Sequence, residues 1–114
     1  MNEVRVTVAV ACVLRVFLDD IAAPRYGYEL MRLTGYPSGK LYPILARLEA
    51  AGWLEAQFED IDPKVAGRPV RRLYRLSQQG TAAARRELAA LHQQLAPARP
   101  GTGRRRLRPA GGRS

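Results

Sequence analysis

Residues 38–54 read Ser-Gly-Lys-Leu-Tyr-Pro-Ile-Leu-Ala-Arg-Leu-Glu-Ala-Ala-Gly-Trp-Leu, and this stretch constrains the fold more than any other. Leu41, Ile44, Leu45 and Leu48 stand at i, i+3, i+4 and i+7, one apolar stripe on a helix. Ser38 occupies the N-cap position, where its hydroxyl can accept a bond from an unpaired amide of the first turn. Gly52 supplies the left-handed residue that commonly ends a helix, and an apolar, strand-like run follows at once. The other face carries Lys40, Tyr42, Ala46 and Arg47, a set able to meet a polyanion. One side for a core and one for an anionic partner is the pattern of a recognition helix. Pro43 falls just past the first turn and removes one helix hydrogen bond, so the helix either starts nearer Lys40 or is locally bent.

The flanking segments fit around this helix. Val4, Val6 and Val8 alternate as in a strand, whereas Val10, Val13, Leu14, Phe17 and Leu18 have helical spacing. A first helix is expected over residues 7–18, capped by Thr7 and fraying at Asp19 and Asp20, which suit a helix C-terminus badly. Residues 25–35 read as a shorter helix with Leu30, Met31 and Leu33 on its apolar side and Gly35 as terminator. Gly27 near its start suggests close approach of another backbone. Tyr36-Pro37 turns the chain into Ser38, which completes a helix-turn-helix.

Beyond Gly52, residues 53–58 suit a half-exposed strand, with Trp53 expected in the core. Residues 59–69 are turn-rich, and residues 70–76 form a second strand with Tyr74 and Leu76 on one face. Such a hairpin is a wing, compatible both with covering the core and with touching DNA. Ser77 then caps a helix running to about Leu95. Ala84, Leu88, Leu91 and Leu95 recur at spacings of 4, 3 and 4, a heptad seam. The seam packs either inside the monomer or against a partner chain. A terminal helix outlasting a small core favours the partner, so these four residues are the expected dimer interface.

Charge separates the body of the chain from its end. Six of the nineteen basic residues (Arg99, Arg104, Arg105, Arg106, Arg108 and Arg113) lie beyond residue 96, whereas all ten acids lie between Glu3 and Glu87. The net charge of +9 therefore overstates how basic the folded part is. The expected organisation is a winged helix-turn-helix domain over residues 1–96, including a dimerisation helix at 78–96, followed by a disordered basic tail at 97–114. The fold class is mainly α with a small β-hairpin. The lone Cys12 sits in an apolar run and is expected to be a buried thiol. His92, the only histidine, has no nearby Cys or second His to share a metal, so a solvated helix face is expected for it. No cofactor, metal or catalytic set is indicated, and the chain is not expected to be an enzyme. It has neither a membrane-length apolar run nor a signal-peptide pattern, which points to the cytoplasm.

Several runs together resemble one family. Tyr26-Gly27-Tyr28-Glu29-Leu30, Leu41-Tyr42-Pro43-Ile44-Leu45-Ala46-Arg47-Leu48-Glu49 and Gly52-Trp53-Leu54 are similar to the PadR family of transcriptional regulators. Gly67-Arg68-Pro69-Val70-Arg71-Arg72-Leu73-Tyr74-Arg75-Leu76-Ser77, followed by Gly80, continues the match. The resemblance implies a winged-helix homodimer that binds double-stranded operator DNA, usually represses, and often responds to a small-molecule effector. It includes Pro43, which favours the bent helix. The single C-terminal helix resembles the short type of the family. Some drug-sensing short members stack planar ligands on interface aromatics, and residues 77–96 hold no aromatic ring except His92, which argues against that pocket.

Candidate DNA contacts follow. Ser38, Lys40 and Tyr42 lie near the N-terminal end of the recognition helix, where base edges and a phosphate are approached. Arg47 lies further along, placed either to read guanine or to grip the backbone. In the wing, Lys64, Arg68 and Arg71 are the candidates. Pro69 holds Arg68 extended and Gly67 removes bulk beside it, so Arg68 is expected to reach a narrow minor groove or a phosphate rather than stay solvated. The rival reading is a winged helix that serves protein interaction or dimerisation without specific DNA binding.

Overall fold

The computed structural model describes residues 4–95. Along the chain these form α1 (Val8–Asp19), β1 (Arg25–Tyr26), α2 (Gly27–Thr34), α3 (Ser38–Ala50), β2 (Leu54–Phe58), α4 (Pro63–Ala66), β3 (Arg72–Leu76) and α5 (Gln78–Leu95). The basic tail expected at 97–114 lies outside the described residues, as do residues 1–3.

Thr7 caps α1, its Oγ1 accepting from the Val10 amide at 3.2 Å. Val10, Val13, Leu14 and Phe17 are then buried, meeting Leu30 of α2 and the α3 stripe of Leu41, Ile44, Leu45 and Leu48. Trp53 and Leu54 close this core from the sheet side together with Tyr74 and Leu76. The apolar spacing of α1 and α3 is thus the core, whereas Leu33 of α2, expected on the apolar side with Leu30, is 49% exposed.

Three local expectations are corrected. Residues 25 and 26 are not helical but form β1, antiparallel to β3 with Arg25 opposite Tyr74 and Tyr26 opposite Leu73. The hairpin is therefore part of a three-stranded sheet of order β1-β3-β2. Pairing satisfies backbone groups on one edge of β3, and two residues are too short to show a period. Pro37, not Ser38, is the N-cap residue of α3, and no side chain caps it. The Lys40 and Leu41 amides both reach the Pro37 carbonyl, at 3.0 and 2.9 Å. The helix thus starts at Ser38 and carries Pro43 inside it, and proline lacks the amide that would bond the Gly39 carbonyl. Cys12 is exposed rather than buried. It stands between Ala11 and Val13 in sequence but off the face that packs into the core.

The wing loop also holds more order than its composition suggests. Asp62 Oδ1 accepts from the Lys64 amide at 3.0 Å, Pro63 opens the short α4, and Gly67 ends it at φ 72°. Behind the wing, Ser77 joins three elements. Its Oγ–H donates to the Gly52 carbonyl at 2.6 Å, the same oxygen accepts from the Gly80 amide at 2.9 Å, and its amide donates to the Trp53 carbonyl at 2.9 Å. Gly80 is required here, because a Cβ on it would land on the Trp53 carbonyl. The start of α5 is thereby fixed to the junction of α3 and β2, and α5 continues along α1.

Candidate nucleic-acid interface

With its apolar stripe buried, α3 turns Ser38, Gly39, Lys40, Tyr42, Ala46 and Arg47 outward, and all six are exposed. This is the face expected for a recognition helix. Lys40 is steadied by Tyr36, whose ring centroid lies 4.3 Å from Nζ. Hydrogen bonding to the Cys12 thiol, helped by burial, raises the Tyr36 phenol above its ordinary pKa. The ammonium at the start of α3 therefore rests on a ring that is itself tied to α1.

Tyr42 leans toward the start of α2. A Cβ on Gly27 would coincide with the Tyr42 hydroxyl, so Gly27 makes room for a side chain and not for the backbone that its position suggested. The two residues belong to a cleft of about 280 Å³ that is also lined by Tyr26, Tyr28, Arg71, Arg72 and Tyr74. The cleft joins the helix-turn-helix to the wing. Arg71 lies over the Tyr26 ring at 4.1 Å. Arg72 pairs with Glu49 of α3 at 2.7 Å and lies 5.7 Å from each of the Phe58 and Tyr74 rings. That pairing with Glu49 raises the Arg72 pKa still further above its ordinary value. Arg72 did not stand out in the sequence; its partner is 23 residues away, a distance no local pattern spans.

At the base of the wing loop the cations are not all free. Arg68 Nη1 and Nη2 donate to Glu59 Oε1 and Oε2 at 2.6 and 3.1 Å, and Nη1 also donates to the Pro69 carbonyl at 3.2 Å. The Arg71 amide donates to Glu59 Oε1 at 3.0 Å, and the Glu59 amide returns a bond to the Arg71 carbonyl at 2.9 Å. The neighbouring guanidinium holds the Glu59 carboxyl down at about 2. Arg68 is therefore an ion-paired residue at the foot of the wing, whereas Lys64 on α4 is exposed. Glu59 was not a candidate from sequence, where it reads as one acid among several in a turn.

Ser38, Lys40, Tyr42 and Arg47 are all exposed outside the buried stripe of α3, Ser38 and Tyr42 (i, i+4) on one flank and Lys40 and Arg47 (i, i+7) on the other. Tyr42 shares the cleft with Arg71. The expected interface residues of α5 lie elsewhere. Ala84 is fully buried in the chain's own core, Leu88 and Leu91 are half-buried, and Leu95 is 71% exposed. A groove between α1 and α5, lined by Val8, Ala11, Cys12, Leu88, Leu91 and Leu95 among others, runs along this side. Exposed His92 also lines it, and no Phe, Tyr or Trp side chain does. Among the described residues no cluster of three or more His, Cys, Asp or Glu could hold a metal ion.

Comparison with known proteins gives the fold a lineage. The family described as "Transcriptional regulator PadR-like family" matches residues 17–86. No curated protein sequence matches the chain. A PadR-like transcription factor from Bacteroides fragilis superposes with a TM-score of 0.63 at 18% identity, over 76% of this chain and 82% of that one. A PadR family regulator from Eggerthella lenta gives a TM-score of 0.60 at 23% identity, over 76% and 78%. Overoxidized AbfR bound to DNA gives a TM-score of 0.62 at 21% identity, over 79% of this chain but only 60% of AbfR.

Proposed function

Because the chain belongs to the PadR-like family of transcriptional regulators, we propose that it is a sequence-specific repressor binding double-stranded operator DNA as a homodimer. The carrying observation is the outward face of α3, where Lys40, Tyr42 and Arg47 stand exposed over a buried apolar stripe. In this reading the N-terminal part of α3 enters the major groove. Ser38 and the first-turn amides hold a phosphate, Lys40 and Tyr42 approach base edges, and Arg47 reads guanine or grips the backbone. The wing flanks the groove with Lys64 and Arg71, while Arg68, the third wing candidate, stands at its foot paired with Glu59. Operator binding is cytoplasmic work, and among the described residues no helix is long and apolar enough to cross a membrane.

Dimerisation uses the α1–α5 groove. Leu88, Leu91 and Leu95 supply its contacts, Ala84 serves the monomer core, and the second copy brings a second α3 to a half-site about one helical turn, roughly 34 Å, away. An effector held in the same groove would lie beside the His92 imidazole, without a Phe, Tyr or Trp ring on which to stack.

An electrophoretic shift with the chain's own promoter fragment against mixed-sequence DNA, over a salt series, tests the reading. Promoter DNA is expected to bind more tightly at every salt concentration, and Lys40→Ala to remove about 1–3 kcal/mol of that preference. The Lys40 contact with Tyr36 is worth only about 0.5–1 kcal/mol, so the variant stays folded. Equal affinity for both DNAs would leave the winged helix as an interaction module.

A further inference from the structure

The wing loop is less basic than its arginines suggest. Residues 59–71 contain Glu59, Asp60 and Asp62 against Lys64, Arg68 and Arg71, so the segment is formally neutral. Asp62 is occupied as the cap of α4. Glu59 is the acid that is built in. Its side chain is 15% exposed against 33% for Arg68, and its carboxylate is pinned from behind by the Arg71 amide.

Geometry decides what this does to Arg68. A guanidinium has five N–H donors, and its paired Nη edge is well suited to forking onto a carboxylate or a phosphate. Glu59 takes that edge with both oxygens, and the Pro69 carbonyl takes the second Nη1 hydrogen. What stays open on Arg68 is the side-on edge of Nε and one Nη2 hydrogen, which can still fork onto an oxyanion, but on a guanidinium whose charge Glu59 already matches. A phosphate would have either to displace an anchored carboxylate or to sit beside it on that edge, against its negative charge. Arg71 differs, because Glu59 binds only its backbone amide and its guanidinium stacks on Tyr26.

We infer that Glu59 is a positioning residue that withholds Arg68 from DNA. It closes the foot of the wing with Arg68 and limits the wing's sequence-independent pull to Lys64 and Arg71. The inference rests on the DNA-binding reading above. It gives Arg68 a part that its place in the Gly67-Arg68-Pro69 run did not suggest: a clasp in place of a groove contact.

The test measures binding of the full chain to a fluorescent duplex of mixed sequence by anisotropy across a KCl series. Wild type, Glu59→Gln and Glu59→Gln/Arg68→Ala are compared, each shown to be folded by circular dichroism. Glutamine keeps the shape and can still accept the Arg71 amide, but it frees the charge of Arg68. One more phosphate is then neutralised, so Glu59→Gln is expected to bind more tightly and to steepen the plot of log K against log salt by about 0.9. The double variant, which loses both charges of the clasp, is expected to return to the wild-type slope.

An unchanged slope for Glu59→Gln, or weaker binding by that variant, overturns the inference. So does a double variant whose slope is shallower than wild type by about 0.9, because Arg68 would then already hold a phosphate in the native protein. These outcomes leave DNA binding itself intact. Wild type that binds no duplex at any salt concentration would instead remove the DNA-binding reading and the inference with it.

Discussion

Two glycines show how single residues set this fold, and neither had its reason fully visible in the sequence. Gly27 invited the expectation of a close approach, yet what approaches is the Tyr42 hydroxyl, whose place depends on how α3 crosses α2. Gly80 looks like an ordinary glycine near a helix start, but a methyl there would strike the Trp53 carbonyl, which is backbone and cannot swing aside. Gly80→Ala is therefore expected to cost about 1–3 kcal/mol by overpacking, read from urea denaturation. Gly39 provides the contrast: nothing lies within 4 Å of its would-be Cβ and it is helical. Gly39→Ala should be neutral or stabilising by up to about 1 kcal/mol. Equal losses at both sites would mean that the α5–Trp53 contact is not what requires glycine.

Elements with a periodic apolar face were legible, and those fixed by pairing across the chain were not. The stripe of α3 and the cap of α1 follow from spacing alone, and all four stripe residues are buried. The two-residue β1 needs a partner at Leu73 and Tyr74, almost fifty residues away, and carries no pattern of its own. Cys12 failed for a related reason: an apolar run wraps right round a helix, and only tertiary packing selects the face that is buried. The wing lies between these cases. Asp62-Pro63 before Gly67 is a cap, first-turn proline and terminator in order, enough to signal α4, while the bond of Glu59 to Arg68 is long-range chemistry. That clasp makes the wing pH-sensitive. Glu59 is held at about 2 in the fold against 4.5 for a free carboxyl, so its contribution is complete above the unfolded value and is lost as pH falls toward 2. Wild type is expected to be more stable than Glu59→Gln at neutral pH, and the gap to close between about pH 4.5 and 2. A gap independent of pH would show that the carboxylate charge is not what closes the wing.

At the scale of the whole molecule, one chain presents one α3 and leaves the α1–α5 groove apolar on a surface that the core does not need. Along α5 the heptad divides by depth: Ala84 is in the core, Leu88 and Leu91 are half-buried, and Leu95 stands out at 71% exposure. Spacing alone assigns all four the same role, because a period carries no information about depth. This gradient selects the substitution that tests the dimer. Leu88→Glu would place a charge partly against the monomer's own core, since Leu88 packs on it, and so confounds association with folding. Leu95→Glu changes a side chain with little burial to lose within one chain, so the monomer's stability should move by no more than about 0.5 kcal/mol. Its effect on a second copy should be large, because a glutamate would have to be desolvated in an apolar groove. Sedimentation equilibrium is expected to show wild type at twice the chain mass and Leu95→Glu shifted toward the monomer. Operator affinity should fall in step, since a lone α3 reads a single half-site. Wild type sedimenting as a monomer would remove the homodimer itself, whereas an unchanged dimer mass for the variant would remove the end of α5 from the interface and leave the pairing of two recognition helices to another surface.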